Sequence, residues 1–536
     1  MNIKTAGLLL IATFLIATTT NAQKFDKRQT YIDGQKEIQI KQYKRALDLF
    51  LLFEKNDALN ANINYLIGFC YFNLSETKKE AIPYLEKANT NINPEYKEGV
   101  LKEEAASPNS LFLLGQCYYK NYRFTDALTV FEKYREYIKG NTEAIKLLDS
   151  WVKYSVNAEK LVKTPVDIKI YNLGDVVNSQ QDDHSAVFNV DESTMVFTSR
   201  RKGSTGNLKT TDGQYFEDIY ISNKKDGKWT APVQISENIN TMEHEASIAL
   251  SPDGTELFIY KDDIGDGNIY ISKFNGTDWT KPQKLGSNIN SPFNESHATI
   301  SPDGQTLYFS SNRPEGYGGY DLYYVSRLPN GDWGWAQNMG TTLNTPDDET
   351  GPFMHHDGTT LYFSSKGFNS MGGYDLFYTV IKDDGTFTRP DNMGYPINSI
   401  DDDAFYVLSV DGKRAYYSTK KEDSFGGKDI YLMDLLSLPE RSLVVISGYL
   451  RDATNNIVMD TPLSFKDIKT GKHIGNFKPN PNTGKYTIVV PKSMNYKIST
   501  VDENLVFRSD ELIVPDNSSF YYLQKPILID PIAIIK

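Results

Sequence analysis

Ser301-Pro302-Asp303-Gly304-Gln305-Thr306-Leu307-Tyr308-Phe309-Ser310-Ser311, followed by Gly318-Gly319-Tyr320-Asp321-Leu322-Tyr323, is the stretch that decides the fold. An Asp-Gly step between hydrophobic runs marks a hairpin, because Gly accepts the positive φ that the turn demands. The aromatic run after it reads as a strand, and the Gly-rich loop delivers the chain to a further strand opening on Asp321.

Outward from this stretch the same unit recurs in five copies. Each opens on a hydrophobic residue and an Asn: Val177-Asn178, Ile239-Asn240, Ile289-Asn290, Leu343-Asn344 and Ile397-Asn398. Five residues after each Asn stands a carboxylate: Asp183, Glu245, Glu295, Glu349 and Asp403. A later strand opens on Asp218, Asn268, Asp321, Asp375 or Asp429. A period of roughly 50 to 60 residues suits four short strands and their turns, which predicts a five-bladed β-propeller over 164–437. Copies two to four end in a fourth strand, at Leu285-Gly286, Met339-Gly340 and Met393-Gly394, whereas the fifth stops after Ile430-Tyr431-Leu432. Val166 to Gly174 has the fourth-strand pattern but precedes the first copy, so it is expected to complete the last blade and remove the open edge.

The period changes in front of the propeller. Over 23–163 the pattern is helical: Gly34, Ala46 and Phe50 recur as Gly115, Ala127 and Phe131, with Gly68, Ala81 and Leu85 between them. Small residues at those offsets let paired helices approach closely. Behind the propeller, over 438–536, short alternating runs such as Leu443 to Leu450 and Lys485 to Pro491 predict a small β-sandwich. The fold class is therefore multidomain: an α-helical solenoid, a propeller and a sandwich.

The chain of 536 residues has a formal charge of −12, which argues against nucleic acid as the partner. Residues 1–22, with Lys4, an apolar run to Ala17 and Thr20-Asn21-Ala22, read as a signal peptide, and no later segment has the length of a membrane span. The protein is expected to be exported. Cys70 and Cys117 occupy matching places in two helical repeats and read as packing thiols.

Chemistry is sparse. The six His form no His-Glu-x-x-His or zinc spacing, and neither a nucleophile elbow nor a Walker loop is present. No enzyme activity, cofactor or metal is expected. His355-His356, in a hairpin position, reads as surface turn. The starts of strands one and three share one face, so Asp183, Glu245, Glu295, Glu349, Asp403, Asp218, Asp321, Asp375 and Asp429 should form an acidic ring at one mouth of the channel. A cation or a partner's basic groups could use it, while a structural role in holding the loops explains its recurrence in every copy. Departures from the repeat are Asn268, the polar insertion Gly203 to Gln214, and the doubled Trp333 and Trp335.

Leu114-Gly115 and Tyr118 resemble the tetratricopeptide repeat. That resemblance implies a concave face presenting Tyr31, Asn62, Tyr65, Phe72, Asn109, Phe112 and Tyr119 to a partner. Ser-Pro-Asp-Gly-x-x-Leu-Tyr-Phe-Ser-Ser with Gly-Gly-Tyr-Asp-Leu-Tyr resembles the PD40, or WD40-like, propellers. Thr483-Gly484-Lys485-Tyr486 resembles the regulatory-type domain of carboxypeptidases. The whole order is similar to the OmpA-family peptidoglycan-associated component of type IX secretion, with no OmpA-like domain before Lys536. The resemblance implies a non-catalytic periplasmic scaffold at the outer membrane, with protein partners and only indirect contact with peptidoglycan. The alternatives are a propeller module for a glycan, small ligand or cation, and a hydrolase accessory protein. The tail Tyr521-Tyr522-Leu523 and Pro526 to Ile535 is apolar and must pair with the sandwich or with another chain.

Overall fold

The computed structural model describes residues 26–55, 58–74, 78–262, 265–436, 439–452, 462–477, 479–480, 483–492, 494–500, 510–514, 521–524 and 527–529. The signal segment and the last residues of the tail lie outside these described residues. The chain divides into two compact units, Met1–Val152 and Lys153–Lys536.

Among the described residues seven α-helices occupy the front of the chain: α1 Lys27–Gln39, α2 Tyr43–Glu54, α3 Ala61–Asn73, α4 Lys78–Ala88, α5 Asn109–Lys120, α6 Phe124–Tyr137 and α7 Thr142–Lys163. They start where capping chemistry allows: Asp26 accepts from the amides of Arg28 and Gln29, and Asn60 from that of Ile63. Antiparallel pairing of α1 with α2, α3 with α4 and α5 with α6 puts Phe50, Leu85 and Phe131 directly over the three glycines. A Cβ on Gly34 would stand 2.6 Å from the Phe50 ring, one on Gly68 2.7 Å from Leu85, and one on Gly115 2.2 Å from Phe131. Absence of a side chain is what lets each pair close. Cys70 and Cys117 are buried free thiols, and burial pushes both up to about 12, so neither is a ready nucleophile.

Five antiparallel sheets follow. Their first three strands are Asp183–Phe188, Thr194–Ser199 and Asp218–Lys225; Glu245–Leu250, Glu256–Lys261 and Asn268–Lys273; Glu295–Ile300, Thr306–Ser311 and Asp321–Ser326; Glu349–Met354, Thr360–Ser365 and Asp375–Val380; and Ala404–Leu408, Arg414–Thr419 and Asp429–Asp434. Short fourth strands such as Gln337–Asn338 and Asp391–Asn392 complete the middle sheets. The fifth sheet takes its fourth strand from Lys169–Asn172, which pairs antiparallel with Tyr431 to Asp434. First strands neighbour one another in cyclic order, the fifth against the first, which makes this a propeller-like β domain.

Its core lies between sheets, where Phe309, Phe363, Tyr417 and Phe197 from the second strands are fully enclosed. Every first strand carries a bulge one to three residues from its start. Bulges add twist and re-aim side chains toward the axis.

In the last domain, Leu443–Asp452 lies between Lys485–Pro491, antiparallel, and Tyr521–Gln524 with Ile527–Ile529, parallel. The described part of the apolar tail is thus a strand of this chain's own sheet. A second sheet, Leu463–Asp467 with His473–Phe477, Asn495–Thr500 and Asp510–Ile513, packs across it. The continuous run Leu443 to Ile446 is explained by burial on both faces. Val444 and Ile446 enter the sandwich core, whereas Leu443 and Val445 pack with Val489 on Val190 and Val410 of the β domain.

His355 does not lie on the surface, contrary to expectation. It is fully buried, with Nδ1 3.0 Å from Asp357 and Nε2 3.2 Å from the Ser409 carbonyl. The ring turns toward the fifth sheet, where the Ser409 carbonyl meets it, and Arg441, which leads into the sandwich, donates to the Tyr362 hydroxyl at 2.9 Å and lies 3.5 Å from Asp357 of the same turn.

Candidate functional site

The register of each sheet sets the first-strand carboxylate and the third-strand Asp in one row. Glu295 is opposite Ser311 and Ser311 opposite Asp321; Glu349, Ser365 and Asp375 repeat this. All nine acidic-ring residues are buried. Each uses at least one oxygen internally, whereas a second buried oxygen of Asp218, Asp375, Asp403 and Asp429 has no hydrogen-bond partner among the described residues. Glu349 accepts from the Thr345 amide at 2.8 Å and the Ser365 hydroxyl at 2.6 Å, and Asp403 accepts from the Ser399 amide at 2.6 Å. Glu245 and Glu295 take the amides of Thr241 and Ser291, and Asp183 that of Ser179. In the third strands Asp375 and Asp429 accept from Met371 and Phe425, each at 2.8 Å, while Asp218 takes Thr205 and Asp321 takes Tyr317. A carboxylate accepting backbone N–H groups fixes a loop. Among the described residues no group of His, Cys, Asp and Glu is placed to hold a metal ion.

Charge balance differs round the ring. Asp183 is paired with Arg201 at 2.6 Å, Glu245 with Lys261 at 2.8 Å and Glu295 with Arg313 at 3.0 Å. In the fourth copy Gly367 stands where the arginine would be, and among the described residues no cation lies within ion-pair distance of Glu349 or Asp403. Burial pushes both carboxyls up to about 7.

The five Asn markers prove to be clamps. Asn240 accepts from the amide of Ile219 at 3.0 Å and donates to the carbonyl of the same residue at 3.0 Å. Asn290 does so with Ile269, Asn344 with Leu322 and Asn398 with Leu376, so each linker is pinned to the third strand of the preceding sheet.

At the same mouth Glu217 lies between His184, at 3.4 Å, and His244, at 3.5 Å. Its burial alone would raise its pKa. Hydrogen bonding from His184 and His244 and their charge outweigh that and hold the carboxyl below the ordinary range. Phe405 closes the axis, with its ring centre 5.7 Å from that of His184 and 4.8 Å from that of His297. It does so from a φ of 59°, a left-handed conformation costly for a bulky residue, so the surrounding packing imposes the plug. Below the plug a cavity of about 60 Å³ is lined by Ala186, Ile248, Ala298 and Pro352. That is well under the roughly 150 Å³ that accommodates a benzene ring.

Above the plug the loops carry exposed apolar side chains: Met242, Phe293, Tyr317 and Phe425. Sequence patterns did not single these out, since each stands in a loop whose neighbours are Gly, Pro or acidic residues. Trp335 is also exposed, while Trp333 packs into the sheet-three core under Arg327.

The helical face differs from the expected open groove. Tyr31 is enclosed, edge-on to Phe50 and Phe53, and its hydroxyl reaches the Val100 carbonyl. Asn62 donates to the Glu103 carbonyl at 3.0 Å and accepts from the Tyr96 hydroxyl at 2.8 Å, and Tyr96 also meets Tyr65 edge-on. The segment between α4 and α5 therefore fills this half of the groove. Trp151 of α7 fills the other half, edge-on to Phe112 and to Tyr119, both buried. Only Tyr65, Phe72 and Asn109 keep partial exposure. The physical reason is that three repeats leave a broad apolar face, which the chain covers with its own Tyr96 and Trp151. The length of the α4 to α5 connection was the overlooked signal.

No described protein family matches the chain, and no curated protein matches it. Solved structures are similar in part. TolB from Acinetobacter baumannii has 15% identity over 48% of this chain and 56% of its own length, with a TM-score of 0.31. A putative TolB from Agrobacterium tumefaciens has 14% identity over 60% of this chain and 97% of its own, with a TM-score of 0.32. The α-L-arabinofuranosidase from Lactobacillus brevis has 11% identity over 48% and 91%, with a TM-score of 0.33. The chain thus spans little over half of the first of these. Likenesses this distant carry no argument about activity, and the β domain rests on its own strand pairing. Among the described residues no helix is long and apolar enough to cross a membrane.

Proposed function

We propose that the chain is a non-enzymatic scaffold of the bacterial envelope, built from tetratricopeptide-like repeats over 23–163, a five-bladed PD40-type propeller over 164–437 and a carboxypeptidase-regulatory-like sandwich over 438–536. The observation that carries this reading is the rim of Met242, Phe293, Tyr317 and Phe425 round a mouth closed by Phe405. A rim of separated apolar side chains over a filled channel suits a macromolecular partner, whereas a small ligand needs an open concave pocket. The buried and internally bonded acidic ring belongs to the scaffold's architecture under this reading, and a cation, glycan or catalytic role for the channel loses its space. A periplasmic, outer-membrane-associated setting, a link to type IX secretion and only indirect contact with peptidoglycan are proposed on the order of the sequence motifs.

Affinity purification of the tagged chain from native envelope, read by mass spectrometry, tests it. Envelope proteins should be captured by the unaltered chain and lost when Phe293 and Tyr317 are both replaced by Ser. Capture of the same set by both proteins, or turnover of a chromogenic glycoside by the chain, would overturn the reading.

A further inference from the structure

The turns between first and second strands stand at the end of the β domain opposite the rim, and the sandwich lies over them. The first, third, fourth and fifth of these turns are covered. Val190 and Val410, of the first and fifth, pack with Leu443, Val445 and Val489. A Cβ on Gly475 would stand 3.1 Å from the Cβ of Asp303 in the third, and Arg441 lies 3.5 Å from Asp357 in the fourth. The second turn, Ser251 to Gly254, differs: between it and the sandwich strand Lys485–Pro491 lies a cavity of about 230 Å³. That exceeds the roughly 150 Å³ that accommodates a benzene ring.

The lining of this cavity is of two kinds. Leu250, Phe274 and Trp279 make part of it apolar, the two rings standing with centres 5.4 Å apart. The remainder is polar, with Asp253 from the turn and Lys485 and Thr487 from the sandwich. Asp253 spends Oδ1 inside its own turn, accepting from the Thr255 amide at 3.0 Å and the Thr255 hydroxyl at 2.9 Å. Among the described residues its Oδ2, the Thr487 hydroxyl and the Lys485 ammonium make no hydrogen bond or ion pair. Lys485 is exposed, so the cavity is reached from solvent beside it. Packed protein interiors leave few voids larger than a water molecule, and a polar void of this size is space for a guest.

We infer that this cavity, between the second turn and the sandwich, binds one pyranose ring, either a free sugar or the terminal unit of a glycan. A pyranose has an apolar C–H face for Phe274, Trp279 and Leu250 and a rim of hydroxyls that both donate and accept. Asp253 Oδ2 accepts from such hydroxyls, Lys485 donates to hydroxyl or ring oxygen, and Thr487 does either. The charges of Asp253 and Lys485 offset each other, so a neutral guest leaves neither stranded, whereas a phosphorylated one would face the carboxylate. A mostly concave site with a few convergent polar groups is the usual form of a small-ligand site. The site stands apart from the closed channel and from the apolar rim, and it adds a ligand to the scaffold reading without resting on it.

Saturation-transfer NMR titrations of the full chain test it, with D-glucose, D-mannose, D-galactose and N-acetyl-D-glucosamine as probes, each free and as its methyl glycosides. Saturable binding of at least one pyranose is expected, weakened about tenfold or more by Lys485→Met, Thr487→Val or Asp253→Asn. Binding of the glycoside as well as the free sugar marks a glycan terminus, and binding of the free sugar alone marks a monosaccharide. Asp303→Asn, the same change in a covered turn, should leave binding as it was, and so should Phe293→Ser with Tyr317→Ser at the rim. Thr487→Val keeps the β-branched shape and Lys485 is exposed, so both variants keep the fold, which a circular dichroism melt verifies. No saturable binding of any pyranose, binding unchanged in all three site variants, binding lost equally with Asp303→Asn, or binding of zwitterionic L-alanine in place of the sugars would overturn the inference.

Discussion

The side-chain amide of Asn178 holds the peptide groups of Ile430, 252 residues away, accepting from its N–H at 2.9 Å and donating to its carbonyl at 3.0 Å. The other four Asn clamps join neighbours in sequence. This one joins the last sheet to the first, and Asn178 also donates to Asn172 of the closing strand at 2.8 Å.

Replacing Asn178 by Ala should therefore cost more than a local hydrogen bond. It strands a buried N–H and a buried carbonyl at the closure, worth about 2 to 4 kcal/mol together. Urea unfolding of Asn178→Ala beside Asn344→Ala checks this. Loss in both is expected, with earlier proteolysis between the first and fifth sheets only in Asn178→Ala.

The strand Lys169–Asn172 supplies the outer edge of the fifth sheet. Deletion of 166–174 should unfold the β domain or lower its melting temperature by many degrees, since the bare edge of Asp429–Asp434 also loses its pairing. An unchanged melting temperature would show that the ring stands without it.

Stability should decline with pH through neutrality. Glu349 titrates near 7 in the folded chain, whereas an unfolded Glu titrates near 4, so between those values only the folded state holds the proton. The contribution is full below the lower value and lost as pH rises through the upper. Glu349→Gln should remove its share, on the order of 3 kcal/mol at most, and flatten the difference between urea midpoints at pH 5 and pH 8.5. A variant with the same pH slope as the parent protein would count against it.

In the helical unit, a methyl on Gly115 would strike the Phe131 ring. Gly115→Ala should lose roughly 1 to 3 kcal/mol, and Phe131→Leu in the same chain should recover part of it, because the middle repeat already seats Leu85 on Gly68. Thermal melts of the single and double variants decide the matter.

The repeat was legible because its punctuation is physical: the Asn clamps, the loop-holding carboxylates and the Asp-Gly turns must recur wherever a sheet recurs. The borrowed fourth strand was legible for the same reason, as a gap in one copy and a surplus before another. Tyr31, Phe112 and Tyr119 misled because a repeat's periodicity fixes which side of a helix a residue occupies, not whether another segment lies over it. Tyr96 and Trp151, which cover them, sit outside the period. His355 was misplaced similarly: a turn reads as surface until Ser409, 54 positions later, is seen against its ring. The contact of Asn157 with the Ser370 carbonyl was invisible because it depends on which of the five sheets' loops the helix meets.

The latch of Lys169–Asn172 on Tyr431–Asp434 also sets a schedule for assembly. This strand is synthesised first and must wait for about 260 residues before its partner exists, which gives the β domain a high contact order and slow folding. During that interval the chain presents an unpaired strand at each end, both edges seeking the same kind of partner. A neighbouring copy can offer one, so a high local concentration of unfinished chains would favour exchange of closing strands between them unless a chaperone holds the first strand until the last arrives.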